Sequence, residues 1–249
     1  MVEPLDNDIH SQFTPVTREN LNEKVVAQIK ALILSKGIPV GQRLPPEREL
    51  AHLFGVSRAV IREALKSLEQ SGLVEIRTGA AGGAFVVNNH YIPLFQVTYD
   101  LFSAGRLTLA HFHEARETIE CGVARLVVSK ATDKDIERLN KINNQLIDES
   151  TDPSEQGKNN DAFHIALAEI SGNPLMHLVV QSLMTLLRSV FTGWDKDRSH
   201  DSMHNMYKRH KAIIEAIQSR DVRLCERLLA GDIEIMCRLS VESRIAFAG

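Results

Sequence analysis

The sequence predicts a mainly α chain in two parts: three helices with a β-hairpin, then an all-α antiparallel bundle of about six or seven helices. Three observations lead there. Apolar residues recur at helical spacing through nearly the whole chain. Only LVEIR and AFVV alternate like strands, and the glycine-rich TGAAGG lies between them. Aromatic residues are 5% with a single Trp, whereas Leu, Ile, Ala, Glu and Arg abound, a balance that favours helix.

The elements follow in order. Residues 1–16 read as a flexible tail, and residues 17–87 as the first domain. In NLNEKVVAQIKALILS, Leu21, Val25, Ile29, Leu32 and Ile33 form a helical stripe that stops at Gly37, with Pro39 and Gly41 as turn residues. PPEREL opens a short second helix: Pro46 suits the first helical position, and Glu47 and Glu49 suit the positive end of the helix dipole. Gly55 ends it, and Ser57 is a good N-cap for RAVIREALKSLEQSG, which buries Val60, Ile61, Ala64, Leu65 and Leu68. The hairpin follows. Residues 88–93 read as a linker, 94–240 as the helical domain and 241–249 as a C-terminal tail. Helix breaks are expected at Gly105, around Asp152, Pro153 and Gly157, at Gly172 to Pro174, near Gly193, and at Arg220/Asp221.

Composition narrows the class. In 249 residues, Lys+Arg 29 against Asp+Glu 32 leaves a formal charge of −3, and 43% apolar residues are ordinary for a globular protein. Disorder and collagen-like repeats are excluded. A near-neutral total neither supports nor opposes nucleic-acid binding, since a basic patch can sit on an acidic chain. Cys121, Cys225 and Cys237 are too scattered for a disulfide framework or a thiolate zinc site. The acidic start lacks a signal-peptide pattern, and Gln181 and Arg188 interrupt the most apolar run, Leu178 to Phe191. A soluble cytoplasmic protein with no membrane partner is expected.

LFGVSRAVIREAL has the form of a helix-turn-helix, whose second helix presents its N-terminal residues to the major groove. Ser57, Arg58 and Arg62 lie at that end. Arg58 and Arg62 are four apart, on a different face from the apolar stripe. Arginine forks can pair with guanine or clamp phosphate, and Arg48 could hold a phosphate. The flexible tip between Arg77 and Gly83 could track a backbone. The bland alternative is a common helix pair with solvated arginines.

LPPERELAHLFGVSRAVIREALKSLEQSGLVEIRTG with GGAFV resembles the winged helix-turn-helix of the GntR family. The PxERELA, GVSR, REAL, LxxGLV and GxFV elements stand in order over about 70 residues. The resemblance implies contacts to a double-stranded operator from Arg48, Ser57, Arg58 and Arg62, with Thr78 and Gly79 in the wing. TGAAGG lacks the basic residue or His that some relatives carry at the wing tip.

The helical domain sets ionisable groups within apolar stripes. Asp232 lies among Cys225, Leu228, Leu229, Ile235, Met236 and Leu239, and a lone buried carboxylate is costly unless paired or metal-bound. His210 lies among Met203, Met206, Ile213, Ile214 and Ile217, as either a satisfied core histidine or a ligand. In NNDAFHIALAEIS, Asn160 and His164 are i and i+4 on the inner edge of a face formed by Phe163, Leu167 and Ile170, with Asp161 further towards solvent. Arg116 sits mid-face among Leu109, Phe112, Ile119, Val123 and Val127, with Glu120 four residues on. They form a buried ion pair, or Arg116 offers its fork to a ligand carboxylate.

EARETIECGVARLVV, AFHIALAEISGNP and RHKAIIEAIQSRDV resemble the FCD ligand-binding domain of the FadR-type branch of that family. Relatives commonly bind a divalent metal through one Asp and three His. By position these become Asn160, His164, His210 and Asp232, with Asn160 in place of the Asp and Asp232 in place of the last His. Two imidazoles and two oxygens suit Zn, Mn or Ni. The resemblance implies a homodimeric transcriptional repressor whose operator affinity responds to a small carboxylate effector, such as a sugar acid or hydroxy acid. A metal-dependent enzyme acting on a small organic acid is the alternative, although it would leave the first 88 residues unexplained.

Overall fold

The computed structural model describes residues 21–79, 81–148, 153–190 and 200–247, with the side chains of 153–157, 200–202 and 236–247 outside that description. The chain divides into two compact units, Met1–Asn89 and His90–Gly249.

In the first unit, helix α1 (Leu21–Leu34) buries Val25, Ile29 and Ile33 of the expected stripe, an i, i+4, i+8 row, whereas Leu21 and Leu32 of that stripe are exposed. Helix α2 (Glu47–Phe54) ends at Gly55, whose φ of 65° is the left-handed conformation that a side chain would strain. Helix α3 (Arg58–Gln70) starts on Ser57, whose hydroxyl accepts the Val60 N–H at 3.3 Å, and it buries Ile61, Ala64, Leu65 and Leu68. Strands β1 (Val74–Arg77) and β2 (Gly83–Val86) pair antiparallel, Val74 opposite Val86 and Arg77 opposite Gly83. The stretch expected to be a plain turn also joins this ribbon. Gly41 and Leu44 donate to β2 carbonyls, and Arg43 bridges Phe85. Leu44, Leu73, Val74, Ala84 and Val86 complete the small core.

The second unit is helical among its described residues: α4 (Tyr91–Ser103), α5 (Leu109–Lys130), α6 (Asp133–Asn144), α7 (Pro153–Ile170), α8 (Pro174–Val190), α9 (His200–Gln218) and α10 (Val222–Phe247). Its core joins Phe112, Val127, Phe163, Leu167, Met184, Ile213 and Leu229 from five of these helices. No described helix is long and apolar enough to cross a membrane.

Several boundaries differ from expectation. The expected linker 88–93 already contains the start of α4. Pro93 falls in that helix's first turn, where a missing N–H costs nothing. Pro153 likewise begins α7 rather than breaking it, and the helix runs on through Gly157. A helix-interior glycine costs only about 1 kcal/mol. The expected tail from 241 continues α10 to Phe247, since VESRIAF contains neither Gly nor Pro. The boundary between α5 and α6 has no Gly or Pro and is set by Thr132 and Asp135, which form a reciprocal capping box. The N-terminal tail and the break near Gly193 lie outside the described residues.

Candidate functional site

Two constellations stand out, one in each unit. In the first, α2 and α3 expose a row of arginines. Arg48, Arg58 and Arg62 are exposed, as is Ser57, whose oxygen is engaged as the α3 cap. Glu47 stands between two of them. Its carboxylate takes Arg62 side-on, Nε at 3.2 Å and Nη2 at 2.9 Å, and lies 3.5 Å from Arg58 Nη2. The Arg62 guanidinium holds the Glu47 carboxyl below the usual carboxylate range. At the hairpin tip Thr78 and Gly79 are exposed, and Gly79 has a φ of 98° that favours glycine. Arg77 lies 4.4 Å over the Phe85 ring and pairs with Glu75. A cation therefore flanks the wing even though its tip has none.

In the second unit, α5, α7, α9 and α10 converge on one buried polar centre. Arg116, Glu120, Asn160, His164, His210 and Asp232 are all at most 1% exposed. Arg116 Nε donates to Glu120 Oε1 at 2.5 Å, and the other Glu120 oxygen lies 2.5 Å from His164 Nδ1. His164 Nε2 lies 3.4 Å from Asp232 Oδ2, and His210 Nε2 lies 3.8 Å from the same oxygen. Arg209 binds the remaining Asp232 oxygen at 2.6 Å. His210 stacks on Phe163 with ring centroids 3.9 Å apart, which fixes its plane.

Electrostatics gives each member a role. Burial would raise the Glu120 carboxyl, but Arg116 and His164 outweigh it and hold its pKa at about 2. Glu120 is therefore an acceptor, so His164 donates from Nδ1 and turns Nε2 towards Asp232. Burial would also raise Asp232, yet the two imidazoles beside it keep it well below the usual carboxylate range. Burial pushes His210 down. For His164 the pull of burial is overcome, chiefly by Glu120, and the pKa is raised.

Whether these residues suit a divalent ion can be tested by distance. Nitrogen and oxygen ligands at ~2.1 Å from one ion lie roughly 3.0–3.4 Å from each other in tetrahedral or octahedral geometry. The His164–Asp232 spacing matches, and the His210–Asp232 spacing exceeds it by a few tenths of an ångström. His164 Nε2, both His210 nitrogens, Asp232 Oδ2 and Asn160 Oδ1 are buried without hydrogen-bond partners. The ligand atoms of His164, His210 and Asp232 lie within 4.8 Å of one another. The donor set fits such an ion.

Some of this was hidden in the sequence. Asp161, expected towards solvent, is instead buried and held by Arg188 Nη2 at 2.5 Å, because α8 packs over that side of α7. Glu120 serves His164 as well as Arg116, a link across 44 residues that helical periodicity cannot show. Arg209 lies one position off the His210 stripe and reaches back to Asp232. His113, one turn before Arg116, is also buried with both ring nitrogens unpartnered. Its placement on the inner face of α5 was the available signal.

A helix-turn-helix with a β-wing, joined to a helical unit, defines a class of DNA-binding regulator. Two family models match: "Bacterial regulatory proteins, gntR family" over residues 21–86 and "FCD domain" over 111–234. The chain is 31% identical over 220 residues to the HTH-type transcriptional repressor NanR of Cronobacter sakazakii, covering 86% of this chain and 83% of the relative. It is 33% identical over 222 residues to the NanR repressor of Citrobacter rodentium, with the same coverage. Among solved structures, a Streptococcus agalactiae GntR protein matches with a TM-score of 0.64 at 24% identity, over 87% of this chain and 99% of that one, and supports the fold. The chain belongs to the GntR family of bacterial transcription regulators and carries an FCD domain. Its relatives are regulators, not enzymes, so the metalloenzyme alternative falls away.

Proposed function

We propose that this regulator is a homodimeric repressor whose operator affinity is set by a small carboxylate bound, together with a divalent ion, at the polar centre of the helical unit. Asn160, His164, His210 and Asp232 would hold the ion, which would supply a Lewis-acid centre for a ligand oxygen. Arg116 would hold the carboxylate: only its Nε is used by Glu120, while Nη1 and Nη2 are buried without partners. The observation that carries this reading is the convergence of unpartnered buried donors and acceptors from four helices. Left so, each costs about 1–3 kcal/mol. A polar lining of this kind favours a sugar acid or hydroxy acid over a long acyl chain, which needs an apolar cavity.

Arg48, Ser57, Arg58 and Arg62, with Thr78 and Gly79 in the wing, would contact the operator. In a dimer each protomer would read one half-site, and ligand binding would shift the spacing of the two reading helices. A coupling of about 1–3 kcal/mol changes operator affinity 5- to 150-fold. Relatives named as repressors support the repressing direction.

The test is a thermal melt of EDTA-stripped protein with added Zn, Mn or Ni. An ion at 100 times its Kd stabilises by about 2.7 kcal/mol. A shift in the native protein that is lost in His210→Ala supports the reading. No shift with any of the three ions removes the metal from it.

A further inference from the structure

We propose that Glu47 is a positioning residue for DNA reading, holding the side edge of Arg62 and the tip of Arg58 so that Arg62 presents a defined end to the groove. The inference rests on Arg58 and Arg62 being DNA contacts.

A guanidinium has two edges that each offer a pair of N–H donors: the side, Nε with Nη2, and the end, Nη1 with Nη2. Glu47 occupies the side of Arg62 with both of its oxygens, at 3.2 and 2.9 Å. The end edge stays free, and it matches the paired O6 and N7 acceptors of guanine or two phosphate oxygens. The same carboxylate stands 3.5 Å from Arg58 Nη2. Glu47 is the first residue of α2 and Arg58 the first of α3, so one acidic group ties together the starts of both helices of the motif. The carboxylate is the sheltered member, its side chain 30% exposed against 57% for Arg62 and 63% for Arg58.

Two consequences follow. An arginine already fixed in its rotamer loses less freedom on meeting a base, which favours the cognate site. A negative charge between the two cations also weakens their pull on any phosphate, which disfavours random DNA. Glu47 thus raises selectivity by opposing non-specific binding, although an acidic side chain on a DNA face looks unfavourable in isolation. Glu49, also in the first turn of α2, still complements the helix dipole when Glu47 is neutralised.

The experiment uses the full-length protein, a fluorescent duplex enriched by the native protein from a random pool, and a random duplex of equal length. Anisotropy titrations over a series of KCl concentrations are made for the native protein, Glu47→Gln and Glu49→Gln. For Glu47→Gln the expected result is tighter binding to random DNA and weaker binding to the enriched duplex. The ratio of the two affinities should fall roughly tenfold, and the salt slope on random DNA should steepen by about 1. Glu49→Gln should keep the native ratio, and both variants the native melting temperature. A Glu47→Gln ratio within twofold of native overturns the proposal. An equal loss on both duplexes with a lowered melting temperature also overturns it, since it marks a purely structural role. If instead Arg58→Met and Arg62→Met bind the enriched duplex as the native protein does, the DNA-face reading fails and takes the proposal with it.

Discussion

Glu120→Gln is the substitution that most sharply separates burial from mere pairing. The side chain keeps its size but loses its charge. In the native protein that charge faces Arg116 at 2.5 Å and His164 at 2.5 Å, with side chains 0–2% exposed. Removing one partner of a buried ion pair leaves the other uncompensated, which costs about 3–5 kcal/mol. At roughly 2–4 °C per kcal/mol for a unit of this size, the helical unit should melt on the order of 10 °C lower. The control is Glu169→Gln. Its partner Arg138 lies 2.6 Å away, but the two side chains are 48% and 50% exposed, so the loss should not exceed about 1 kcal/mol. Glu120→Gln should also weaken metal binding 10- to 100-fold, because the amide cannot hold His164 in the required tautomer as firmly. Urea unfolding followed by circular dichroism, with and without added Zn, reads both effects. Equal midpoint shifts in the two variants would refute the burial argument.

Three further outcomes follow from the same geometry. His113 is held neutral, first by burial and then by Arg116, at a pKa of about 4. Its unfolded form takes up a proton near pH 6.5, so the stability contributed by neutral His113 should be lost as pH drops from 6.5 to 4, by about 3 kcal/mol in all. His113→Gln should flatten that part of the curve in metal-free protein, as read by melts at stepped pH. Phe163→Ala should cost about 3–5 kcal/mol, since it opens a cavity in the core and removes the surface on which His210 stacks. A loss below 1 kcal/mol in urea unfolding would contradict that packing. Ser57→Ala should cost the first unit about 1 kcal/mol by removing the α3 cap, while Ser57→Gly costs only a few tenths.

Which parts were legible in the sequence follows from the physics of each. Helical stripes such as Val25–Ile29–Ile33 and the cap at Ser57 are set by neighbours within a few residues, so they could be read directly. The same holds for His164, His210 and Asp232, which betray themselves as polar residues inside apolar stripes. Their meeting at 3.4 and 3.8 Å depends on how α7, α9 and α10 pack, and no local pattern encodes that. The Arg116–Glu120 pair, four apart on one helix, was legible, but the bond from Glu120 to His164 and the roles of Arg209 and Asp161 escaped for the same reason: those partners come from other helices or lie just off a stripe. The starts of α4 at Tyr91, with Pro93 in its first turn, and of α7 at Pro153 were misplaced because proline marks both a break and a favourable first turn.

Control of DNA binding by the buried centre around Arg116, His164, His210 and Asp232 is tested by operator anisotropy on metal-supplemented protein, titrated with a panel of sugar acids and hydroxy acids. At least one acid should weaken binding of the native protein to the enriched duplex by fivefold or more. The same acid should leave Arg116→Met and His210→Ala unresponsive while their ligand-free affinity stays near native. A panel with no effect, or variants that respond as the native protein does, would contradict that control.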